Sequence, residues 1–442
     1  MARSLGRSNG SATGGDGPAM RTLRPRPGSG VPRQSLYDTG TWPRGPGRSD
    51  AGSSSPTPVT LPDTSTSLAF PLPAPAPVAI PQPPATFPLR WLLEHGSPAV
   101  QFRALTEVAA LDLPTATPVG RLPFASRQGW ELLFHQHPDG TWGHGLLTVP
   151  GTGLESPPAV GAISAYRRLL ELGWSPEAPP LATTRRLLFR LLAEDNDPAY
   201  LFELAAAAGT DPDLVKRGRL ILREAAAAAL AQAGYESDPR LRGAAKRIIE
   251  RIGAFLRSPN ADKPFIRVGN QHVLPHDAAP PSFHALVMLA HMPHFRSEHH
   301  EHIERLYEYL TLQLPRMAPV QQVGEHLVEQ PHLALGDILP SRYVMDGDVP
   351  TALAWLELMA RLGFLRRNEG WTRLLDKLLD DRDRHGVWHP PRSVSMPAAL
   401  PDWVWPTLPL ADRPVEGDDY AATVTFRLGL IARLAGRPIE AV

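Results

Sequence analysis

A predicted helix-to-turn junction lies at residues 127–143, where the sequence reads RQGWELLFHQHPDGTWG. Its pattern predicts a helix that ends next to Gln136, followed by a sharp turn at Gly140 and then by Trp142. A glutamine amide at this place can bind carbonyls left free at the helix end, and the indole can pack over it. Gly140 permits the turn because it has no Cβ. The three residues therefore predict a structural clamp between helices that carries no chemistry.

A degenerate second copy of the pattern lies at residues 378–388, which read LLDDRDRHGVW. Gly386 and Trp388 are kept, and Arg382 replaces the glutamine. The two copies resemble the QW repeat of the squalene cyclase and prenyltransferase family, and the first has the whole Gln-x3-Gly-x-Trp core. The resemblance implies an α/α toroid, a closed ring of paired helices.

The rest of the chain after Pro88 favours the same all-α class. Apolar residues recur at three- and four-residue spacing in roughly a dozen segments joined by short Pro/Gly turns, and no convincing alternating strand pattern is present. A capping residue followed by proline predicts helix starts at Ser97, Asp211 and Asp238. We expect one helical domain over residues 89–435 and a short tail over 436–442. Residues 89–112 resemble a HEAT-like helical hairpin, interpreted as an entry cap. A HEAT-like α-solenoid is the alternative fold, although no regular repeat length is evident.

Residues 1–88 differ from the helical part in composition. They contain 17 of the 50 prolines and have neither Glu nor Lys. Such a segment buries too little apolar surface to offset its backbone entropy, so it is predicted to be disordered.

The overall composition excludes several classes of protein. Lys plus Arg and Asp plus Glu number 45 each, which argues against a dedicated nucleic-acid binder. The chain has no Cys, so thiolate catalysis, disulfides and cysteine-ligated metals are excluded. No signal peptide is visible and no apolar run approaches the length of about 18 residues that a membrane span needs. We expect a cytoplasmic protein, and the preference for Arg over Lys indicates a high-GC bacterial source.

An acidic segment near the C-terminus is the candidate for catalysis. Class II cyclases of the family that the chain resembles use an Asp-x-Asp-Asp motif to protonate an alkene. The nearest match comprises Glu416, Asp418 and Asp419. By analogy, Asp418 would donate the proton and the other two would tune it. The competing interpretation is that these carboxylates complement the positive end of the following helix.

Other candidates for ligand chemistry are weaker. His294, Glu298, His299 and His302 are close in sequence, but their spacing favours a solvated helix start over a metal site, and we expect neither a metal nor a cofactor. Proline-rich residues 390–414 include Trp403 and Trp405, which either form a lid over an apolar ligand or pin the loop to the body.

The sequence leaves two classes of function open. The resemblance implies an apolar central cavity that binds a hydrophobic or isoprenoid molecule, and if the protein is an enzyme, it is a terpenoid cyclase-like isomerase or lyase. The alternative is a HEAT-like scaffold for protein–protein interaction. The environment of Asp418 and the contents of the toroid centre separate them.

Overall fold

The computed structural model describes residues 84–110, 118–143, 145–149, 160–193, 201–339, 348–391, 397, 400–411 and 417–442. Most of these residues are helical. Across the described ranges the α-helices are α1 (Leu89–His95), α2 (Pro98–Arg103), α3 (Arg127–Phe134), α4 (Ala162–Glu171), α5 (Pro179–Ala193), α6 (Leu204–Ala208), α7 (Pro212–Gln232), α8 (Pro239–Leu256), α9 (Phe283–Ala290), α10 (Pro293–Glu298), α11 (His300–Leu310), α12 (Val349–Arg361), α13 (Glu369–Asp380) and α14 (Asp418–Leu434).

Side-chain caps set several helix starts as the sequence predicts. Asp211 accepts hydrogen bonds from two backbone N–H groups at the start of α7, and Asp238 accepts one at the start of α8. Proline follows each of them, where its missing N–H costs nothing. The Ser97 hydroxyl caps α2 in the same way. The domain's α2 continues into one π-helical turn over Ala104–Val108.

Three short strand pairs were not predicted. Strands β2 (Ile266–Val268) and β3 (Gln271–Val273) form one antiparallel hairpin, and β4 (Val320–Val323) and β5 (His326–Glu329) form another. Gly269 and Gly324 begin the two-residue turns with φ of 60° and 59°, a backbone conformation that glycine adopts without strain.

The third strand pair corrects both predicted boundaries of the helical domain. Strand β1 (Ala85–Phe87) lies parallel to β6 (Ile439–Ala441), with Ala85 opposite Ile439. The predicted tails 1–88 and 436–442 therefore both contain ordered strand residues. Phe87 is buried, and its ring lies against Gly429 of α14. Residues 1–83, where most of the predicted disordered segment falls, lie outside the described residues.

Two helices form the buried centre of the body. Helix α7 packs against α4, α5, α8 and α9, and its residues Glu224–Ala231 are buried on every side. The alanines there let neighbouring helices approach closely. Helix α14 packs against α1, α2, α12 and α13 and is buried from Tyr420 to Ala432. No helix in the described part of the chain has both the length and the apolarity to cross a membrane.

Candidate functional site

The first predicted clamp is a connection between α3, the following turn and α5. Trp142 is fully buried, and its indole Nε1 donates to the Leu132 carbonyl in the last turn of α3 at 2.7 Å. Gln136 Nε2 donates to the Pro180 carbonyl of α5 at 2.9 Å. The indole, and not the glutamine, therefore satisfies the helix-end carbonyl, while Gln136 reaches the next helix. Gly140 has φ of 86° and lies so close to α5 that a Cβ there would collide with it.

The second copy repeats this turn. Gly386 N–H donates to the Asp383 carbonyl at 2.9 Å, as Gly140 N–H donates to His137 in the first copy at the same distance. Arg382, in the place of the glutamine, donates to the Leu379 carbonyl near the end of α13 and to the Thr86 carbonyl of β1, both at 2.7 Å.

Trp388 closes the second turn against α14. It is buried, its ring lies edge-on to Tyr420, and its backbone N–H donates to the Thr425 hydroxyl at 3.0 Å. Both turns therefore join a helix end to a neighbouring element.

Asp418 lies in the first turn of α14, directly after the N-cap residue Gly417. It is exposed and lines neither of the two cavities described below. Asp419 follows it in the first helical turn and is partly exposed. Glu416 lies outside the described residues. Carboxylates here complement the positive end of the helix dipole, and the geometry favours this over a buried proton donor.

The loop over residues 400–411 is fixed to the body at several points. Trp403 is buried and stacks on Phe283 of α9, with ring centroids 4.2 Å apart and planes inclined by 6°. The carbonyl of Trp405 accepts a hydrogen bond from Arg168 of α4, whose guanidinium also lies over the Trp405 ring. Both tryptophans therefore contact the helical body, and Trp403 also lines the cavity described below.

Buried charged side chains connect the helices on which this loop lies. Glu171 of α4 binds Arg103 of α2 and accepts a 2.8 Å hydrogen bond from Arg427 of α14. Arg427 also donates to Glu357 of α12 at 2.6 Å, and Glu357 binds Arg361 on the same helix at 2.9 Å. We call these five residues the buried ion network.

The arginines keep the carboxylates of the buried ion network charged. Burial alone would raise the pKa of Glu171, but Arg103 and Arg427 outweigh it and hold that pKa below its ordinary value. The pKa of Glu357 is lowered for the same reason. The space beside them holds only about 30 Å³. Glu171, Glu357 and Arg361 of the buried ion network are among the residues that line this small space.

A larger cavity of about 600 Å³ opens beside the N-terminal half of α7. Most of its wall is apolar, from Leu204 and Ala207 of α6, Leu214 and Ile221 of α7, and Leu327 of β5. The α7 residues in the wall are spaced by three and four, so they form one face of that helix. This volume is within the range of about 300–1,000 Å³ that small-molecule sites have.

A few polar side chains interrupt the apolar wall. Arg217, on the cavity face of α7, donates through Nε to Gln330 Oε1 at 3.1 Å. His284, near the start of α9, and His332 line the same cavity, with ring centroids 6.3 Å apart. Asp402 contributes a carboxylate from the loop. Apolar walls with few convergent polar groups are typical of ligand-binding cavities.

The start of α9 fixes the positions of the two histidines. Ser282 caps α9 by accepting from Ala285 N–H, and its hydroxyl donates to Glu224 of α7 at 2.5 Å. Phe283 N–H donates to the His332 carbonyl at 2.8 Å, which ties the segment after β5 to α9. His284 and His332 are therefore held by backbone contacts and not by a flexible loop.

Burial keeps both histidines neutral. Burial, together with the smaller effect of the charge of Arg167, lowers the pKa of His284 from 6.5 to about 3. The pKa of His332 falls well below 6.5 for the same first reason, with Arg217 adding to the effect. The pKa of the Asp402 carboxyl is raised by burial. At neutral pH Arg217 is thus the cation among the buried polar groups of the cavity.

Sequence reasoning did not find this group of residues. Among the histidines, the sequence pointed only to a metal site at His299 and its neighbours, which it did not favour. Across the described ranges no three His, Asp or Glu side chains converge in a way that could hold a metal ion. The available signal was Arg217 between Leu214 and Ile221 on an otherwise apolar helix face.

Comparisons with protein-family models, with curated proteins and with solved structures gave no match to this chain. The resemblance to the squalene cyclase and prenyltransferase family therefore rests on the two Gly-x-Trp turns.

Proposed function

We propose that the helical body is an α/α toroid that binds a small hydrophobic molecule, such as an isoprenoid, in the cavity beside α7. The single observation that carries the binding function is that cavity, with its apolar wall and its few polar side chains.

The toroid is supported by the order of helix contacts. Helices α4, α7, α9, α12 and α14 each pack against the next, and α14 packs against α2. The ion pair of Arg103 with Glu171 joins α2 to α4, which would close a ring of six inner helices. The pairing of β1 with β6 brings the two ends of the ring together. A linear solenoid would have no reason to join its first and last elements.

The proposal does not include proton-initiated cyclisation at Asp418. A cyclase acid must be kept protonated by burial, and an exposed carboxylate at a helix start lacks that environment. The function is therefore binding, and any reaction would depend on the polar groups of the cavity.

Farnesol provides a direct test of the binding site. We expect saturable binding of farnesol by calorimetry or by a competitive fluorescent probe. Ala207→Phe, which places a ring in the cavity wall, should abolish it. Ala205→Phe is the matched control, because Ala205 is also exposed on α6 but does not line the cavity. Equal loss of binding in both variants would contradict the assigned site.

The alternative function, a HEAT-like interaction scaffold, is favoured by a separate observation. Phe124, Trp130 and Phe134 are all exposed, and Trp130 lies against Phe134 with ring centroids 6.1 Å apart. Exposed aromatic groups are typical of protein interfaces. If no hydrophobic probe binds the wild-type protein, the scaffold is the better-supported function.

A further inference from the structure

We propose that the ligand of this cavity is a carboxylic acid, whose carboxylate binds at Arg217 and whose apolar chain lies along α6 and α7. This inference rests on the function proposed above, since it assigns the polar end of the same ligand. It depends on how the polar atoms around the cavity are satisfied.

Buried nitrogen atoms of three cavity residues have no hydrogen-bond partner within the described part of the chain. They are Nη2 of Arg217, Nδ1 of His284 and Nε2 of Gln330. The Gln330 amide is oriented by its other end, because its Oε1 accepts from Arg217 Nε. Its Nε2 therefore offers a donor, as does Arg217 Nη2. Buried donors without partners are rare and costly, so these predict a ligand that brings acceptors.

Arg217 also lacks a carboxylate of its own. It makes no ion pair with any described residue. An exposed arginine would be hydrated, whereas Arg217 is mostly buried. Burial lowers the pKa of Arg217, and the charge of Glu224 partly offsets that effect. The Glu224 oxygens, however, are already bound to Arg251 and Ser282. A ligand carboxylate would supply the missing charge in the bidentate form that arginine prefers.

The other titratable groups facing the cavity set the ligand's orientation. His284 and His332 are neutral, so neither competes with Arg217 for the anion. The exposed His326 of β5 also lines the cavity, but its Nε2 lies 3.3 Å from the carboxylate of Asp211. Asp402 and the exposed Glu329 are acidic and lie on the loop and β5 sides of the cavity. They would repel a carboxylate placed beside them, which leaves the α7 side for the charged group and the apolar wall for the chain.

The test compares farnesol, farnesoic acid and farnesylamine, which share one isoprenoid chain and differ in head group. We expect the acid to bind the wild-type protein at least about tenfold more tightly than the alcohol, which corresponds to about 1.4 kcal/mol. Arg217→Gln should remove this preference, so that the variant binds the acid and the alcohol with similar affinity. Arg219→Gln is the charge-matched control on the same helix, since Arg219 does not line the cavity.

A structural role for Arg217 would give a different result. Removing an unpaired buried cation should keep or raise the melting temperature of the ligand-free protein, whereas removing a stabilising contact would lower it. Equal affinity for acid and alcohol would overturn this inference and leave the proposed function standing. Preferential binding of the amine, lost in Asp402→Asn, would also overturn it. If no probe binds, the proposed function itself fails. These head-group comparisons use the wild-type protein, so they decide the matter even if Arg217→Gln does not fold.

Discussion

Replacing Trp142 tests whether the first Gly-x-Trp turn holds two helices together. The side chain is fully buried, and its indole N–H donates to the Leu132 carbonyl at 2.7 Å. Trp142→Ala removes the ring and should lower the free energy of unfolding by about 3–5 kcal/mol. Trp142→Phe keeps most of the ring but removes the indole donor, so the Leu132 carbonyl keeps only the bond from His135 N–H, at a cost of about 0.5–1.5 kcal/mol. The two variants separate packing from hydrogen bonding.

The assay is urea denaturation followed by circular dichroism, in which the midpoint should fall while the slope stays constant. Phe134→Ala is the control, because Phe134 is on α3, the helix that Trp142 contacts, and is 79% exposed; its replacement should change stability by no more than about 0.5 kcal/mol. If Trp142→Ala costs no more than Phe134→Ala, the clamp interpretation is refuted. A neutral Trp142→Phe would refute the role of the indole hydrogen bond alone.

Four further predictions concern the core, the strand pair and the acidic helix start. Arg427→Met leaves the buried carboxylates of Glu171 and Glu357 without their shared cation, so it should lower the free energy of unfolding by about 3–5 kcal/mol. Urea titrations at two pH values should show a larger loss at pH 8 than at pH 5. Acidification from pH 7 to pH 5 should lower the free energy of unfolding by about 2 kcal/mol for each of His284 and His291. Burial lowers the folded pKa of His284 to about 3 and that of His291, at the end of α9, to about 4. The neutral histidines therefore contribute their full stability to the fold above pH 6.5, and this contribution is lost as the pH falls below that value. Phenylalanine at either position should flatten the pH dependence of the free energy of unfolding. Phe87→Ala should destabilise by about 3–5 kcal/mol, and an unchanged melting temperature would mean that β1 is dispensable. Asp418→Asn should cost at most about 1 kcal/mol; stabilisation by several kcal/mol would indicate a buried, protonated acid.

The sequence by itself determined the local structure. Asp or Ser before proline predicted the starts of α2, α7 and α8, because a side-chain acceptor and a missing N–H both suit a helix start. The Gly-x-Trp spacing predicted both turns, since a positive φ and a buried ring are properties of a few adjacent residues. The hairpin turn at Gly269 is also a local feature, but helical periodicity dominates the chain and no strand was predicted there.

Only the tertiary structure decided what the helices enclose. Periodicity shows which face of a helix is buried but not which other helix covers it, so nothing local placed Glu171 beside Arg427, 256 residues later in the chain. The same holds for Arg217, His284 and Gln330, which come from three separate segments. Their meeting depends on long-range packing of α7 against α9 and on the backbone contact between Phe283 and His332. A cavity forms where packed helices and loops leave space between their side chains, so its position and lining depend on the tertiary structure.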